Sequence, residues 1–97
     1  MKEINIIPKK YFIEIKPDIS NHNFDGLIYI HFDTKNELNE LILDSVKLKI
    51  IKCELITENS ELNLTDFHTT DSNLIINHKL SNNTSATLKI HYTGKVS

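Results

Sequence analysis

The chain has 97 residues, a formal net charge of −2 and a hydrophobic share of 39%, values typical of one soluble domain with a modest core. Its basic residues are all lysine, and because sequence-specific readers of nucleic acid rely on arginine, we expect no nucleic-acid partner. No apolar run could span a membrane, no signal-peptide core follows Met1, and the single cysteine excludes an intramolecular disulfide. A cytoplasmic location with no membrane partner is the default expectation.

Residues 11–16 form the first predicted strand. Its apolar residues alternate with charged ones, which predicts that three of them share one face: Tyr11, Ile13 and Ile15. Pro17 is expected to end the strand, and the polar residues 18–23 to form a turn.

The second predicted strand opens at Gly26 and ends at Asp33. The alternation predicts an apolar face and an opposite, mixed face, formed respectively by Ile28, Ile30 and Phe32 and by Leu27, Tyr29, His31 and Asp33. Before this strand, Phe24 is expected to make apolar contacts and Gly26 to permit a close turn of the backbone. Residues 33–36 predict another turn.

Further strands are predicted downstream, at residues 40–44, 47–56, 63–67, 73–78 and 87–92. Residues 37–43 also fit a helical face, but such a helix would be short and lacks a closing cap. The adjacent apolar residues Ile50 and Ile51 predict a bulge in the long fourth strand. About seven short strands joined by polar turns predict a single all-β domain over residues 1–97, either an antiparallel sandwich or a saddle-like open sheet.

The sequence contains no recognisable catalytic motif. None of its five histidines is followed by glutamate, so the zinc-protease pattern H-E-x-x-H is absent. Two glycines cannot build a phosphate-binding or dinucleotide-binding loop, and no nucleophile elbow is present. Cys53 lies in a predicted strand and is expected to be a buried, structural thiol.

His31 and Asp33 form the pattern most similar to a metal site, because alternate residues of a strand share a face. Zinc needs three or four ligands, and no second pair of this kind supplies the others, although His91 lies on a later strand. We therefore expect a partly exposed polar face, and no catalytic, cofactor-binding or metal-ligating residue in this chain.

Two other polar groups are expected to be structural. Residues 68–72 predict a loop in which Asp71 and Ser72 accept hydrogen bonds from backbone donors. Scattered carboxylates predict a solvated edge of the sheet, formed by Glu54, Glu58 and Glu61.

Four landmarks occur in order along the chain: Pro8-x-x-Tyr11, Phe24-x-Gly26, an apolar element over residues 41–50, and the closing LKIHYTGKVS of residues 88–97. Together they resemble the start of the gluzincin-type zinc aminopeptidases, the family of aminopeptidase N, puromycin-sensitive aminopeptidase and the archaeal tricorn-interacting factors. Those proteins open with a Pro-x-x-Tyr strand, a Phe-x-Gly hairpin strand, an ILxxxxLxI element and an LxIxYxGxxS strand. The resemblance covers nearly the whole chain.

The resemblance implies the first part of an N-terminal β domain that rests on a thermolysin-like catalytic domain. In the family, the zinc ligands, the general-base glutamate and the substrate-binding residues lie further downstream, so no functional residue is carried over to this chain. Zinc is implied for the parent enzyme only. The chain is expected to be either a truncated piece of a longer aminopeptidase or a separately encoded subunit that joins a catalytic partner.

Three hypotheses follow. The first is a non-catalytic N-terminal structural domain of a zinc metalloaminopeptidase, which packs against the catalytic domain, in cis or in trans, and helps enclose its cleft. The second is a free-standing β-sandwich module for protein interaction. The third and weakest is a small metal-binding or hydrolytic protein that uses His31 and Asp33. An exposed sheet edge would in addition favour self-association.

Overall fold

The computed structural model describes residues 6–18, 20, 22–45 and 48–95, and within these ranges the secondary structure consists of strands without a helix. The strands are, in chain order, β1 (Ile7–Asp18), β2 (Asn23–Asp33), β3 (Leu41–Asp44), β4 (Lys49–Ile56), β5 (Glu61–Leu64), β6 (Phe67–Thr69), β7 (Asn73–Ile76) and β8 (Ser85–Lys95). All their pairings are antiparallel. The all-β class predicted from the alternation is therefore confirmed.

The strands form two sheets with one hydrophobic core between them. The larger sheet has the order β1-β2-β8-β4-β5, and the smaller has the order β3-β7-β6. The buried residues of both sheets belong to one apolar cluster, which includes Ile28, Ile30, Phe32, Cys53, Leu55, Leu88 and Ile90 from the larger sheet and Leu41, Leu43, Leu74 and Ile76 from the smaller. The chain is thus a small antiparallel sandwich, and we call the core-facing side of the larger sheet its inner face.

The predicted apolar face of the second strand is the centre of that core. Ile28, Ile30 and Phe32 are almost completely buried. They alternate with partly exposed residues on the outer face of β2, as expected for a strand with one side against the core and one side against water. β2 and β8 are paired over eleven residues each, from Asn23 opposite Lys95 to Asp33 opposite Ser85.

Several strands are longer than the sequence predicted. β1 continues through Pro17, which lies opposite Phe24; a proline is tolerated there because β1 is at the edge of the sheet. β2 begins at Asn23 instead of Gly26, since it follows β1 and β8 along their full length. Of the turn predicted at residues 18–23, positions 19 and 21 lie outside the described residues, as does Lys47 of the predicted fourth strand.

The strand predicted at residues 63–67 is wrong. Two strands, β5 and β6, occupy this region, and they belong to different sheets. Leu64 is buried in the larger sheet, whereas Phe67 begins the edge strand of the smaller one. The predicted loop at residues 68–72 consequently starts later, because His68 lies in β6. The bulge predicted in the fourth strand is confirmed by a register shift between Ile50 and Lys52.

Two glycines and two aromatic residues form reciprocal pairs across β2 and β8. Gly26 lies opposite Tyr92, and Phe24 lies opposite Gly94. A Cβ atom at Gly26 would overlap the ring of Tyr92, and one at Gly94 would overlap the ring of Phe24. The two rings contact each other edge to face, with centroids 6.2 Å apart. We call these four residues the aromatic–glycine pairs.

The aromatic–glycine pairs correct the role expected for Gly26. This residue lies within a strand and has no positive φ, so it does not form a close turn. Its lack of a side chain instead leaves room for the Tyr92 ring, which is buried. The expectation that Phe24 makes apolar contacts is confirmed by its packing against the core.

Replacement of Gly26 by alanine is expected to destabilise the fold. The new methyl group would displace the Tyr92 ring, and overpacking of this kind costs about 1–3 kcal/mol. Urea unfolding followed by circular dichroism measures the loss. Thr93→Ala, on the outer face of the same sheet, is the control and should change stability by less than about 0.5 kcal/mol.

The cost should fall when the ring is absent. In a Tyr92→Ala background, Gly26→Ala is expected to destabilise much less, because the ring atoms that the new methyl group would overlap are then absent. Strictly additive losses in the double variant would show that the ring does not set the cost.

Candidate functional site

His31 and Asp33 lie on the outer face of β2, and each contacts a residue of β8. The Nδ1 atom of His31 is 3.0 Å from the Oγ1 atom of Thr87. Asp33 accepts a hydrogen bond from the hydroxyl of Ser85 and forms an ion pair with Lys9 of β1. The predicted placement on one face is thus correct, and both side chains contact neighbouring strands.

His91 does not join this pair. It lies opposite Leu27, whereas His31 lies opposite Thr87, so the two positions are four residue steps apart, about 13 Å along the strand. No group of three histidine, cysteine, aspartate or glutamate side chains suited to a metal ion occurs among the described residues. Zinc sites in proteins use three or four such ligands, so the described residues do not fit a zinc ion.

The ion pair of Asp33 affects its titration. The hydrogen bond from Lys9, and after it the one from Ser85, lowers the pKa of the Asp33 carboxyl below its usual value of 3.8. Since both partners come from adjacent strands, the carboxylate connects the ends of β1, β2 and β8. Both contacts are between strands of the same sheet, so they hold the ends of these strands together.

The Asp33 contacts predict acid sensitivity. The pKa of Asp33 is lower in the folded state than in the unfolded state. The stabilisation that its contacts provide is therefore complete above about pH 4 and is lost as the pH falls through the folded-state pKa. Between about pH 5 and about pH 2, the unfolding free energy of the Asp33→Asn variant should therefore decrease less than that of the parent chain. Lys9→Ala should raise the Asp33 pKa toward 3.8 in an NMR titration; an unchanged value would contradict the assignment to Lys9.

The centre of the outer face carries a row of side chains that crosses four strands. Phe12 and Tyr29 contact edge to face with centroids 5.8 Å apart, and the Lys89 ammonium lies 5.5 Å from the centroid of Tyr29. Glu54 continues the row, with its Oε1 atom 3.8 Å from the Nζ atoms of Lys52 and Lys89. Glu54 is therefore a half-buried ion-pair partner, while Glu58 and Glu61 are exposed as expected.

Thr70 caps the loop after β6. Its hydroxyl oxygen accepts a hydrogen bond of 3.0 Å from the backbone N–H of Asn73 and a longer one of 3.4 Å from that of Ser72. The prediction named the wrong side chains, Asp71 and Ser72, for this role. The structural reading of the loop is otherwise consistent with these contacts.

Cys53 is fully buried in the core, as its position in a strand predicted. Burial raises the pKa of its thiol to about 12, because the thiolate would lose its hydration. At neutral pH the thiol is protonated and inaccessible, which are the properties of a structural cysteine.

The native protein is accordingly expected to resist thiol reagents. At pH 8, a disulfide-exchange reagent should modify Cys53 only after unfolding in urea, when one equivalent per chain should react. Rapid modification of the folded chain, at the rate of an unfolded control, would mean that Cys53 is not buried.

Strand β1 exposes apolar side chains on both of its faces. Tyr11 and Ile13 lie opposite Ile30 and Ile28, so they belong to the inner face, as does Ile15. The smaller sheet does not cover them: Tyr11 is 41% exposed, Ile13 55% and Ile15 57%. We call these three residues the β1 strip. On the outer face of the same strand, Phe12 is 58% exposed.

The β1 strip is the feature of this structure best suited to function. Isolated exposed apolar side chains are normal, but a contiguous row on the core-facing side of a sheet is typical of a surface that another element covers. The alternation along the strand predicted that the three residues share one face, but it did not predict whether that face is covered. The one available signal of exposure was Phe12, which makes the strand apolar on its other face as well.

The sequence profile of the Peptidase M1 N-terminal domain matches residues 7–97. The chain therefore belongs to the Peptidase M1 N-terminal domain family, which confirms the resemblance seen in its four landmarks. A comparison with curated protein sequences gave no match. Within the described residues, no helix is long and apolar enough to cross a membrane.

Solved structures of M1 zinc metallopeptidases share this fold. An M1 zinc metallopeptidase from Deinococcus radiodurans superposes with a TM-score of 0.76 at 12% sequence identity. A variant of it bound to the substrate Tyr-Ser-Ala gives 0.76, and a two-domain M1 zinc metallopeptidase variant bound to L-tryptophan gives 0.75, each at 12% identity. In every case the match covers 94% of this chain and 21% of the other. The chain thus spans about one fifth of the length of these enzymes.

Proposed function

We propose that this chain is a non-catalytic structural domain of a cytoplasmic zinc metalloaminopeptidase, which packs against the catalytic domain and helps enclose its cleft. The single observation that carries the proposal is the β1 strip, an apolar row on the inner face whose residues are 41–57% exposed. Membership of the Peptidase M1 N-terminal domain family supports the identity of the partner.

In this proposal the catalytic chemistry belongs to the partner domain, which is thermolysin-like by family resemblance. Zinc would supply the Lewis acid of peptide hydrolysis there. The residues described in this chain offer no ligand set for the ion. Their contribution is to form a rigid wall, because the long β1-β2-β8 ladder holds its side chains in fixed positions.

The packing surface in this proposal is the inner face of β1. Covering an isoleucine fully is worth about 1.5–3 kcal/mol, and Ile13 and Ile15 are each more than half exposed. The outer face is less suitable, since charged and polar groups such as Lys89 and Glu54 pair with each other there.

One alternative to this proposal and one additional partner remain. A free-standing interaction module, without a peptidase, would use the same strip to bind another protein. A second copy of the chain would pair through the free edge of β1. No nucleic-acid or membrane partner is proposed, because the basic residues are lysines scattered along the chain.

The first test is enzymatic. The purified chain alone is expected not to hydrolyse aminoacyl-naphthylamides, because its sequence contains no recognisable catalytic motif. The genomic DNA that follows this sequence, or a neighbouring gene, should encode the zinc motif H-E-x-x-H and a glutamate downstream of it. Chelator-sensitive turnover by the pure chain would contradict the proposal, and absence of any such motif in the genome would favour the interaction module.

The second test concerns the packing surface. Ile13→Asp should weaken binding of the catalytic polypeptide by about tenfold or more, since a carboxylate would be desolvated at the contact. Isothermal titration with the separately expressed polypeptide measures the affinity. Ile51→Asp, which changes a similarly exposed isoleucine on β4, is the matched control and should leave the affinity unchanged. Equal losses for both variants would exclude the β1 strip as the surface.

A further inference from the structure

We propose that two copies of this chain pair antiparallel through β1, with the two-fold axis at Phe12. The free edge of β1 carries this inference. β1 is an end strand of the larger sheet and pairs only with β2 among the described residues. An edge strand presents unpaired N–H and C=O groups that favour addition of another strand. The axis position specifies how the self-association named above would occur. This pairing of two copies does not depend on packing against a catalytic domain.

β1 is also the edge with the greatest capacity for pairing. It has twelve residues, whereas β5 at the opposite edge of the same sheet has four. Short edge strands are protected from pairing by their length alone. Pro8 and Pro17 lack an N–H group and confine the pairing segment of β1 to the residues between them.

Symmetry restricts the register. Two antiparallel edge strands in one continuous sheet are related by a two-fold axis perpendicular to the sheet, and opposite residues then share a face. The axis must therefore lie between the two copies of one β1 residue, which is opposite itself, and we name the axis by that residue. From Lys10 onward the ladder with β2 is regular, so the faces along this segment are defined: even-numbered residues lie on the outer face and odd-numbered residues on the inner.

Charge selects the position of the axis. An axis at Phe12 places Lys10 opposite Glu14 of the second copy, and the symmetry repeats this pair. On the inner face it places Tyr11 opposite Ile13, so the apolar residues of the two copies cover each other in part. Opposite charges and apolar pairs directly across a ladder are both stabilising.

The neighbouring registers lack this complementarity. An axis at Ile13 places Lys10 opposite Lys16 and Phe12 opposite Glu14. An axis at Glu14 sets the two carboxylates against each other, and one at Tyr11 places Lys10 opposite Phe12. Like charges directly opposite are destabilising, so the axis at Phe12 is the favoured one.

Charge reversal tests the register. Lys10→Glu and Glu14→Lys should each raise the dimer dissociation constant about tenfold or more, because each creates two like-charge pairs. The double variant should restore the parent value, because it re-forms both pairs with exchanged signs. Sedimentation equilibrium over a wide concentration range measures the constants at low salt, where exposed charges are least screened.

Matched controls separate the local contact from net charge. Lys49→Glu and Glu61→Lys make the same charge changes on exposed residues of β4 and β5, and should leave the dissociation constant unchanged. A chain that stays monomeric at its solubility limit overturns the proposal. A dimer that ignores the charge exchange, or that Lys10→Glu strengthens, overturns the register.

A covalent trap gives a second readout. Phe12→Cys places two thiols across the axis, where opposite Cα atoms are about 4.5–5.5 Å apart, within the range that a disulfide spans. Mild oxidation should give a covalent dimer of Phe12→Cys. Leu62→Cys, on the edge strand β5 and 45% exposed, should stay monomeric. Equal cross-linking of both variants overturns the assignment to β1.

The two proposals fail separately. Lys10 and Glu14 lie on the outer face, so their exchange should leave binding of the catalytic polypeptide to the inner face unchanged. Ile13→Asp alters the inner face, where Ile13 also lies opposite Tyr11 of the second copy, so the charge exchange is the measurement that separates the two proposals.

Discussion

The pairing of β2 with β8 is the constraint on which the rest of the structure depends, and the aromatic–glycine pairs fix its register. Gly26 accepts the Tyr92 ring, and Gly94 accepts the Phe24 ring. A slip of one residue would place each ring over a side chain and would turn the buried residues of β2 toward water. β1 is added to one side of this central pair and β4 to the other, so their positions follow from it.

The sequence predicted the centre of the sandwich well, because alternation is a direct consequence of strand geometry. Ile28, Ile30 and Phe32 were predicted to share an apolar face, and they are buried. The prediction failed between residues 57 and 72, where β5 and β6 have only four and three residues. Such short segments give no measurable period, and their assignment to different sheets depends on distant pairings.

The candidate sites show the same limit. The two-residue spacing of His31 and Asp33 predicted that they share one face. Their hydrogen-bond and ion-pair partners lie on β8 and β1, and the spacing does not predict how those strands align with β2. Similarly, the alternation in β1 identified which residues share a face. It could not reveal that the smaller sheet ends before it covers Tyr11, Ile13 and Ile15. Exposure depends on how far one sheet extends over the other, and the sequence of a single strand does not show this.

The contacts at the two ends of the β2–β8 ladder differ in kind. At one end the aromatic–glycine pairs are uncharged, and at the other Asp33 connects Lys9 and Ser85 through a carboxylate. Lowering the pH through the pKa of Asp33 removes the contact with Lys9 at one end and leaves the ring contact at the other. In acid, β1 would therefore loosen first at its first residues, which gives the sheet a built-in direction of opening.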